Sequence, residues 1–353
     1  MSDIMDQRIS EYDDMLETYR ALEKYAADII EHQVCSHLDG VMQVAHRIKT
    51  RESVLGKLHK KPEKYTTVSM MTDIVGFRVI CYFADQVDLI AAELAAHLQV
   101  DWERSTDKRA MIAPDAFGYL SLHYICLLPG DQEYPDALSD LPFEIQIRSV
   151  LQHTWAEIEH DLGYKTRFGV PRDVRREFSR VAGLLELADE AFLHIKSRIT
   201  EYQKEVYERI TNDRADDLHL DLVSLKEYMK RSHGMVHLLT EISLISGARI
   251  LDTDPEDYLE QLDYLNVHTL GDLNRLLESE QEHALAMASE LLKIAEIDEL
   301  VSTVGLYYLC RARLVYGDYD GKAIAGFFLL RGHDREQAQR QAEYLLARRR
   351  RAI

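Results

Sequence analysis

A short basic segment in an otherwise acidic chain is the first place where residue types and spacing suggest chemistry. Residues 45–64 hold seven lysines and arginines against two glutamates, whereas the whole chain carries a net charge of −19. Four polar side chains of this segment follow the pattern R-x-K-x-x-x-S-x-x-x-K: Arg47, Lys49, Ser53 and Lys57. If residues 51–60 are helical, Ser53 and Lys57 lie one turn apart, where a hydroxyl and an ammonium can meet one phosphate chain. A solvated basic helix face is the more ordinary interpretation of this segment alone.

A single carboxylate, Asp73, precedes the next β-rich run, which covers residues 77–83. Gly76 lies between them, and Arg78 lies on the predicted strand. An acid at a sheet edge, beside a glycine that lets a ligand approach the backbone closely, is typical of a magnesium ligand. A turn-forming aspartate fits the same position, so both interpretations stay open at this point.

Two further β-rich runs alternate polar and apolar residues. Each places three polar side chains on one face: Glu144, Gln146 and Arg148 in the run 143–148, and Tyr119, Ser121 and His123 in the run 119–128. Long polar side chains are costly to bury unless they are paired or bound to a ligand. A cleft over this face is therefore the better explanation for the 143–148 run.

A small sheet covered by helices is the architecture that these runs predict. A helical stretch over 85–98 lies between the first two β-rich runs, another over 150–162 follows the third, and an amphipathic helix covers the first 34 residues. The second stretch carries His153, Trp155, Glu157, His160 and Asp161, and a lone histidine or tryptophan there would ordinarily serve packing.

After Pro171 the strand signals stop and the pattern is helical. A long helix or helical pair is predicted over 172–207, a polar linker over 211–217 and helices from 218 onward. The fold class is therefore α+β, a mixed sheet flanked by helices in residues 1–210, followed by an all-helical domain in 215–353. Residues 262–277 resemble a helix–turn–helix hairpin, although an ordinary amphipathic pair explains them better. The arginines at 348–351 are expected to form a frayed, solvated tail or to contact RNA.

Composition excludes several classes of protein. The chain has 353 residues, 46% of them hydrophobic and 29% charged, which fits a globular protein of two domains. Its acidic balance argues against a general nucleic-acid coat or a binder of anionic membranes. The lack of a long apolar run or a basic leader predicts a cytoplasmic protein without a membrane partner. Four scattered cysteines exclude a disulfide scaffold and argue against structural zinc: Cys35, Cys81, Cys126 and Cys310.

The order of these motifs resembles the synthetase domain of the RelA/SpoT family, the (p)ppGpp or alarmone synthetases. The matching motifs are RIKTRESVLGK at 47–57, DIVGFRV at 73–79, GYLSLH at 118–123, and EIQIR at 144–148 continuing into WAEIEHDLGYK at 155–165. The resemblance covers about residues 20–205 and implies a nucleotidyltransferase-like mixed sheet. It also implies transfer of a pyrophosphoryl group from ATP to the ribose 3′-hydroxyl of GDP or GTP, which releases AMP.

The same resemblance implies a role for each motif residue. Arg47 and Arg78 would sandwich the adenine, because planar guanidinium groups stack on rings. Lys49, Ser53 and Lys57 would hold the ATP phosphates. Asp73 and Glu144 would be the catalytic carboxylates that bind Mg²⁺, and Glu144 would help to deprotonate the 3′-hydroxyl. Tyr119 would stack on the guanine, and the remaining acceptor residues would be Lys108, Ser121, His123, Gln146 and Arg148.

One stretch departs from the family pattern and leaves the acceptor open. Residues 107–117 read DKRAMIAPDAF, with Asp115 where relatives commonly have a lysine, although Lys108 and Arg109 could compensate. The acceptor could therefore be GDP, GTP, an adenine nucleotide or the 3′ end of tRNA, as in toxic relatives. A catalytically inactive nucleotide sensor is a further alternative.

The sequence also predicts synthesis without hydrolysis. Only some 40 residues precede the first synthetase motif, and they contain no His-Asp constellation with the spacing of a metal-dependent hydrolase. ATP and GDP or GTP are the expected substrates. The helical C-terminal region is expected to be regulatory or to mediate homo-oligomerisation.

Overall fold

The computed structural model describes residues 2–60, 62–109, 121–130, 134–164, 171–293 and 297–352. The chain divides into two compact units, Met1–Lys196 and Ser197–Ile353. This division lies upstream of the 211–217 segment for which the sequence predicts a linker. Tyr119 and the altered acceptor stretch from residue 110 onward lie outside the described residues.

The described strands of the first unit form one five-stranded mixed sheet. In chain order they are β1 Val41–Ile48, β2 Val75–Cys81, β3 Gln99–Asp107, β4 Leu122–Leu127 and β5 Phe143–Ser149. Their order across the sheet is β1-β2-β5-β4-β3. Only the β2–β5 pair is parallel among these strands, and the others are antiparallel. The mixed sheet that the sequence predicts is confirmed, and β1 and β3 are additions at its two edges.

Helices flank this sheet as predicted. They are α1 Ser2–Ala27, α2 Arg51–Lys60, α3 Gln86–His97, α4 Val150–Tyr164 and the part of α5 (Arg172–Thr211) that precedes Ser197, where the second unit begins. The first helix ends sooner than predicted, since residues Asp28–Val34 form a π-helical turn and Cys35–His37 a 3₁₀ turn.

The two faces of the sheet differ because apolar and polar residues alternate along each central strand. Phe77 and Val79 of β2 and Ile145 and Ile147 of β5 are buried in a hydrophobic core that also contains Leu22 of α1. The residues between them point to the opposite face. That alternation turns a row of polar side chains away from the core.

The second unit is helical as predicted, with one short addition. Its helices are α6 Leu222–Arg231, α7 His233–Ser246, α8 Leu259–Tyr264, α9 Leu270–Leu292, α10 Val304–Tyr316, α11 Gly321–Leu330 and α12 Arg335–Ala352. The addition is a parallel pair of three-residue strands, β6 Arg249–Leu251 and β7 Glu299–Val301. Capping boxes at Asp221 and Thr269 fix where α6 and α9 begin.

Two sequence expectations about this unit can be compared with its packing. The 262–277 segment corresponds to α8 and the start of α9, and its Leu262, Leu270 and Leu273 are buried in the core of the unit. The expectation of a frayed arginine tail is wrong for Arg348 and Arg349. Arg348 forms an ion pair with Glu290, and Arg349 donates to backbone carbonyls at the end of α10.

No helix among the described residues is both long and apolar enough to cross a membrane.

Candidate active site

The register of the sheet brings the predicted polar residues onto one face. Arg78 of β2 pairs with Ala45 of β1 on one side and with Gln146 of β5 on the other, and Gln146 pairs with His123 of β4. In the adjacent row, Arg47 pairs with Gly76, and Gly76 pairs with Glu144. Paired residues project to the same face, so four separate sequence motifs meet there.

Arg47 and Arg78 occupy opposite corners of a square on this face, and the other two corners are Ala45 and Gly76. Diagonal neighbours across an antiparallel pair are about 7–8 Å apart. That distance lies between backbone positions, and both arginines line one pocket together with Gly76 and Ala45. A Cβ atom added at Gly76 would meet no heavy atom within 4 Å, so the glycine leaves this space open.

Asp73 lies in the loop before β2 and is held by two ammonium groups. Lys49 Nζ is 2.6 Å from Asp73 Oδ2, and Lys57 Nζ is 2.6 Å from Asp73 Oδ1. Burial opposes ionisation of Asp73, but the charges and hydrogen bonds of the two lysines outweigh it and hold the pKa below its usual value. For Lys57, burial favours the neutral form, but Asp73 outweighs that effect and raises the pKa.

Ser53, the third phosphate-binding candidate of the basic segment, lies apart from the contacts that Lys49 and Lys57 make with Asp73. It lies on α2 one turn before Lys57, as predicted, but its side chain is exposed. Its hydroxyl is 3.0 Å from the hydroxyl of Thr50. The helix therefore presents the hydroxyl and the ammonium on one face without joining them in this structure.

Glu144 is the second carboxylate of the site, and both of its oxygens are engaged. His123 Nδ1 is 2.8 Å from Oε1, and Gln146 Nε2 donates to Oε2 over 2.9 Å. Burial raises the pKa of Glu144, but the contacts with His123 and Gln146 outweigh it and the net pKa is lowered. The side-chain amide oxygen of Gln146 in turn accepts a hydrogen bond from the guanidinium of Arg148, a residue that is only 1% exposed. This chain of contacts satisfies polar groups that would otherwise be costly to bury.

The two carboxylates line one small pocket of about 130 Å³ together with Lys49, Gly76 and Arg78. They are close enough for the charge of Asp73 to act on the pKa of Glu144. Two carboxylates suit Mg²⁺, which in phosphate-transfer sites takes one or two protein carboxylates and completes its shell with substrate phosphates and water. The described residues contain no cluster of three or more potential metal-ligating side chains. The donor set therefore fits a metal that shares its coordination with a phosphorylated substrate.

A larger cleft of about 610 Å³ continues from this pocket. Its lining includes the predicted acceptor residues Lys108, His123, Gln146 and Arg148. Burial lowers the pKa of the Lys108 ammonium, and the nearby Arg148 charge acts in the same direction. Ser121 lies at the entry to β4, fully buried, and its carbonyl accepts from the Lys108 amide over 3.0 Å.

Of the two cations that could compensate for Asp115, only Lys108 lines the cleft in the described part of the chain. Arg109 donates to both oxygens of Asp107 and, over 2.6 Å, to Asp88 of α3. Its guanidinium therefore fixes the end of β3 against α3. Tyr119 cannot be placed relative to either cation because it lies outside the described residues.

Comparisons with known proteins agree with the motifs. A family model described as the region found in RelA / SpoT proteins matches residues 46–168. The GTP pyrophosphokinase YwaC of Bacillus subtilis (strain 168) is 31% identical over 156 residues, which cover 43% of this chain and 72% of that protein. The chain belongs to the RelA/SpoT family.

A second RelA/SpoT relative is the GTP pyrophosphokinase YjbM of the same bacterium, 30% identical over 161 residues that cover 45% of this chain and 74% of that protein. Among solved structures, the small alarmone synthetase 1 of Bacillus subtilis is 26% identical with a TM-score of 0.46, over 54% of this chain and 99% of that one. The same enzyme bound to its product pppGpp gives a TM-score of 0.45.

All predicted site residues of this RelA/SpoT chain fall within the matched residues 46–168. The cleft is also lined by residues of α4 that belong to the 155–165 motif but to which the sequence interpretation gave no role, namely Glu157, Glu159 and His160. Packing is the correct interpretation for Trp155, which is buried against Phe178. The sequence signal for these cleft residues is their spacing, since Glu157 and His160 are three residues apart and share one helix face.

Proposed function

We propose that this RelA/SpoT chain is a GTP pyrophosphokinase, an alarmone synthetase. It would transfer the pyrophosphoryl group of ATP to the ribose 3′-hydroxyl of GDP or GTP, giving ppGpp or pppGpp and AMP. The observation that carries the proposal is the position of Asp73 and Glu144 in one pocket between an arginine pair and a basic cleft. Such a transfer needs binding sites for two nucleotides and two carboxylates between them.

The ATP side of the site is supported by the arginine square. Arg47 and Arg78 line one pocket from diagonal positions, and the small Gly76 and Ala45 between them leave room for a purine. Arginine serves this role better than lysine because its planar group stacks on rings. Lys49 and Lys57 lie beside the same pocket and would meet the phosphates of the bound ATP.

The reacting atoms would lie near Glu144. Its lowered pKa keeps the carboxylate ionised at neutral pH, so it can accept the proton of the 3′-hydroxyl. The 3′-oxygen forms a bond to the β-phosphorus of ATP, the bond from that phosphorus to the α,β-bridging oxygen breaks, and AMP leaves. Asp73 and Glu144 would hold Mg²⁺, which supplies charge neutralisation on the transferred phosphates when bound. Lys108 and Arg148 would bind the acceptor phosphates.

The proposed function can be tested by following label from γ-³²P-ATP. Purified protein is incubated with Mg²⁺ and, separately, with GDP, GTP, AMP, ADP or deacylated tRNA. We expect labelled ppGpp or pppGpp with one AMP formed per label transferred, and no release of pyrophosphate from added ppGpp. Labelling of tRNA alone would replace the nucleotide acceptor by the tRNA 3′ end. No labelled acceptor at all would refute the proposal.

A further inference from the structure

The guanidinium of Arg78 is held from across the cleft by a carboxylate to which no role has been given so far. Glu157 Oε1 of α4 is 2.9 Å from Arg78 Nη1 of β2. Both side chains line the 610 Å³ cleft. Their pair therefore joins a strand and a helix on the two sides of the predicted nucleotide site.

Stability alone is a poor explanation for this ion pair. The Arg78 side chain is 29% exposed and that of Glu157 is 48% exposed. Ion pairs at this level of exposure contribute little to folding because water and salt screen them. The pair does restrict the rotation of a long side chain, and this restriction matters for a group that must present a flat surface.

The geometry of guanidinium recognition suits such a restriction. A carboxylate that contacts a terminal nitrogen of a guanidinium leaves a face of the group free to stack, and the Glu157 contact is an ion pair to Arg78 Nη1 at 2.9 Å. On the sheet, the immediate neighbours of Arg78 are the small Ala45 and the side chain of Gln146. Ala45 is too short to orient the guanidinium, whereas Glu157 reaches its terminal nitrogen.

The start of α4 is itself fixed to the sheet. The Ser149 hydroxyl at the end of β5 donates to the buried carboxylate of Asp189 over 2.8 Å, and the Ser149 amide donates to Gln152 over 3.0 Å. Glu157 follows about two turns later on the same helix. Its position relative to β2 is therefore set by a buried junction within the first unit.

We propose that Glu157 is a positioning residue that holds the Arg78 guanidinium in the plane needed to stack on the adenine of ATP. The inference rests on the proposed function, since it takes Arg78 as an adenine-binding residue. For the loss of the Glu157 charge, the inference predicts a change in ATP affinity that is opposite in sign to the change predicted by simple electrostatics. Removing a negative charge near a polyphosphate site should tighten ATP binding, whereas loss of the orienting contact should weaken it.

The test is calorimetric binding of α,β-methylene-ATP and of tripolyphosphate, which lacks a base, to the full-length chain. Glu157→Gln removes the charge and keeps the size of the side chain. We expect about three- to tenfold weaker binding of α,β-methylene-ATP, since a stacked cation contributes on this scale. Binding of tripolyphosphate should be unchanged or tighter. In an Arg78→Ala background, Glu157→Gln should have no further effect on the analogue.

Glu93→Gln, an exposed charge change on α3 outside the cleft, is the matched control and should leave both affinities unchanged. Equal weakening of analogue and tripolyphosphate by Glu157→Gln would overturn the inference, as would an undiminished effect in the Arg78→Ala background. If the unmodified protein binds tripolyphosphate but not α,β-methylene-ATP, the proposed function fails instead. The inference alone fails if Arg78→Ala weakens the analogue and Glu157→Gln does not.

Discussion

Glu144 accepts hydrogen bonds at both oxygens, and this arrangement determines what its replacement should do. Glu144→Gln keeps the size of the side chain but removes the charge and puts a donor where an acceptor is needed. We expect turnover to fall by at least ~10²-fold, because preorganised electrostatic groups of this kind are usually worth about 3 kcal/mol. Initial rates at saturating ATP and GDP measure the effect, and turnover near that of the unmodified enzyme would mean that the reacting atoms lie elsewhere.

Asp73 gives a prediction about pH and stability. Its pKa is lowered in the folded chain, so it contributes stability above its unfolded-state pKa of about 3.9, and this contribution is lost as the pH falls through the lower folded value. The free energy of unfolding should therefore decline less steeply below about pH 5 in Asp73→Asn than in the unmodified protein. Urea unfolding at a series of pH values measures both slopes, and identical slopes would show that the two lysines do not stabilise the carboxylate.

Gly76 tests the space between the two arginines. Because an added Cβ meets no protein atom within 4 Å, Gly76→Ala should fold normally while narrowing the gap. We expect about tenfold weaker binding of α,β-methylene-ATP with little change in melting temperature, since a methyl group in a closely fitted space forces the ring to shift. Gly130→Ala, which also adds a Cβ in open space but outside the site, is the control. Unchanged affinity in Gly76→Ala would place the adenine elsewhere.

At the scale of elements, the central strands could be predicted and the edge strands could not. Over Val75–Val79 of β2 and Phe143–Ile147 of β5, buried apolar residues alternate with half-buried ones, because one face is buried in the core and the other faces the cleft. β1 and β3 lie at the two edges of the sheet and are mostly half-exposed or exposed, so neither shows a clear apolar period. For the same reason the site residues on central strands were identified from the sequence, whereas the α4 side of the cleft was not.

Helix α12 shows how a basic run can serve packing. Arg349 donates to the carbonyls of Leu314, Val315 and Gly317, which α10 leaves without helical partners at its end. Arg349→Ala should lower the free energy of unfolding by about 1–3 kcal/mol, because these carbonyls would lose a charged donor. The neighbouring Arg350 is exposed, so Arg350→Ala should change stability far less. Chemical denaturation of both variants measures their free energies of unfolding. Equal losses in the two variants would contradict a stabilising role for the contacts of Arg349 with the end of α10.

At the scale of the whole molecule, the described residues form two hydrophobic cores, one drawn from residues within 9–147 and one from residues within 206–345. Separate cores in compact units favour unfolding in more than one step. We therefore expect two calorimetric transitions. α,β-Methylene-ATP should raise only the transition of the first unit, because a ligand stabilises the state that binds it, and Arg349→Ala should lower only that of the second. A single transition shifted by both changes would contradict two independently melting units.

The second unit marks the limit of what the sequence could predict. Its helices follow from periodicity and capping residues such as Asp221 and Thr269. Its role could not be inferred, because the polar residues there recur as caps and surface ion pairs, without a cluster of motifs comparable to those at 47–57 and 144–148. The family match likewise ends at residue 168.

The two lysines bound to Asp73 have a consequence for how the enzyme would distinguish nucleotides. Each ammonium already has an internal counter-ion at 2.6 Å, so an arriving phosphate would exchange partners with a carboxylate instead of meeting a bare cation. The phosphate contribution to affinity is then a difference between two kinds of ion pair, because each new phosphate contact replaces a contact with Asp73. Discrimination between donor bases would consequently fall on the space between Arg47 and Arg78, where the shape of the base decides the fit.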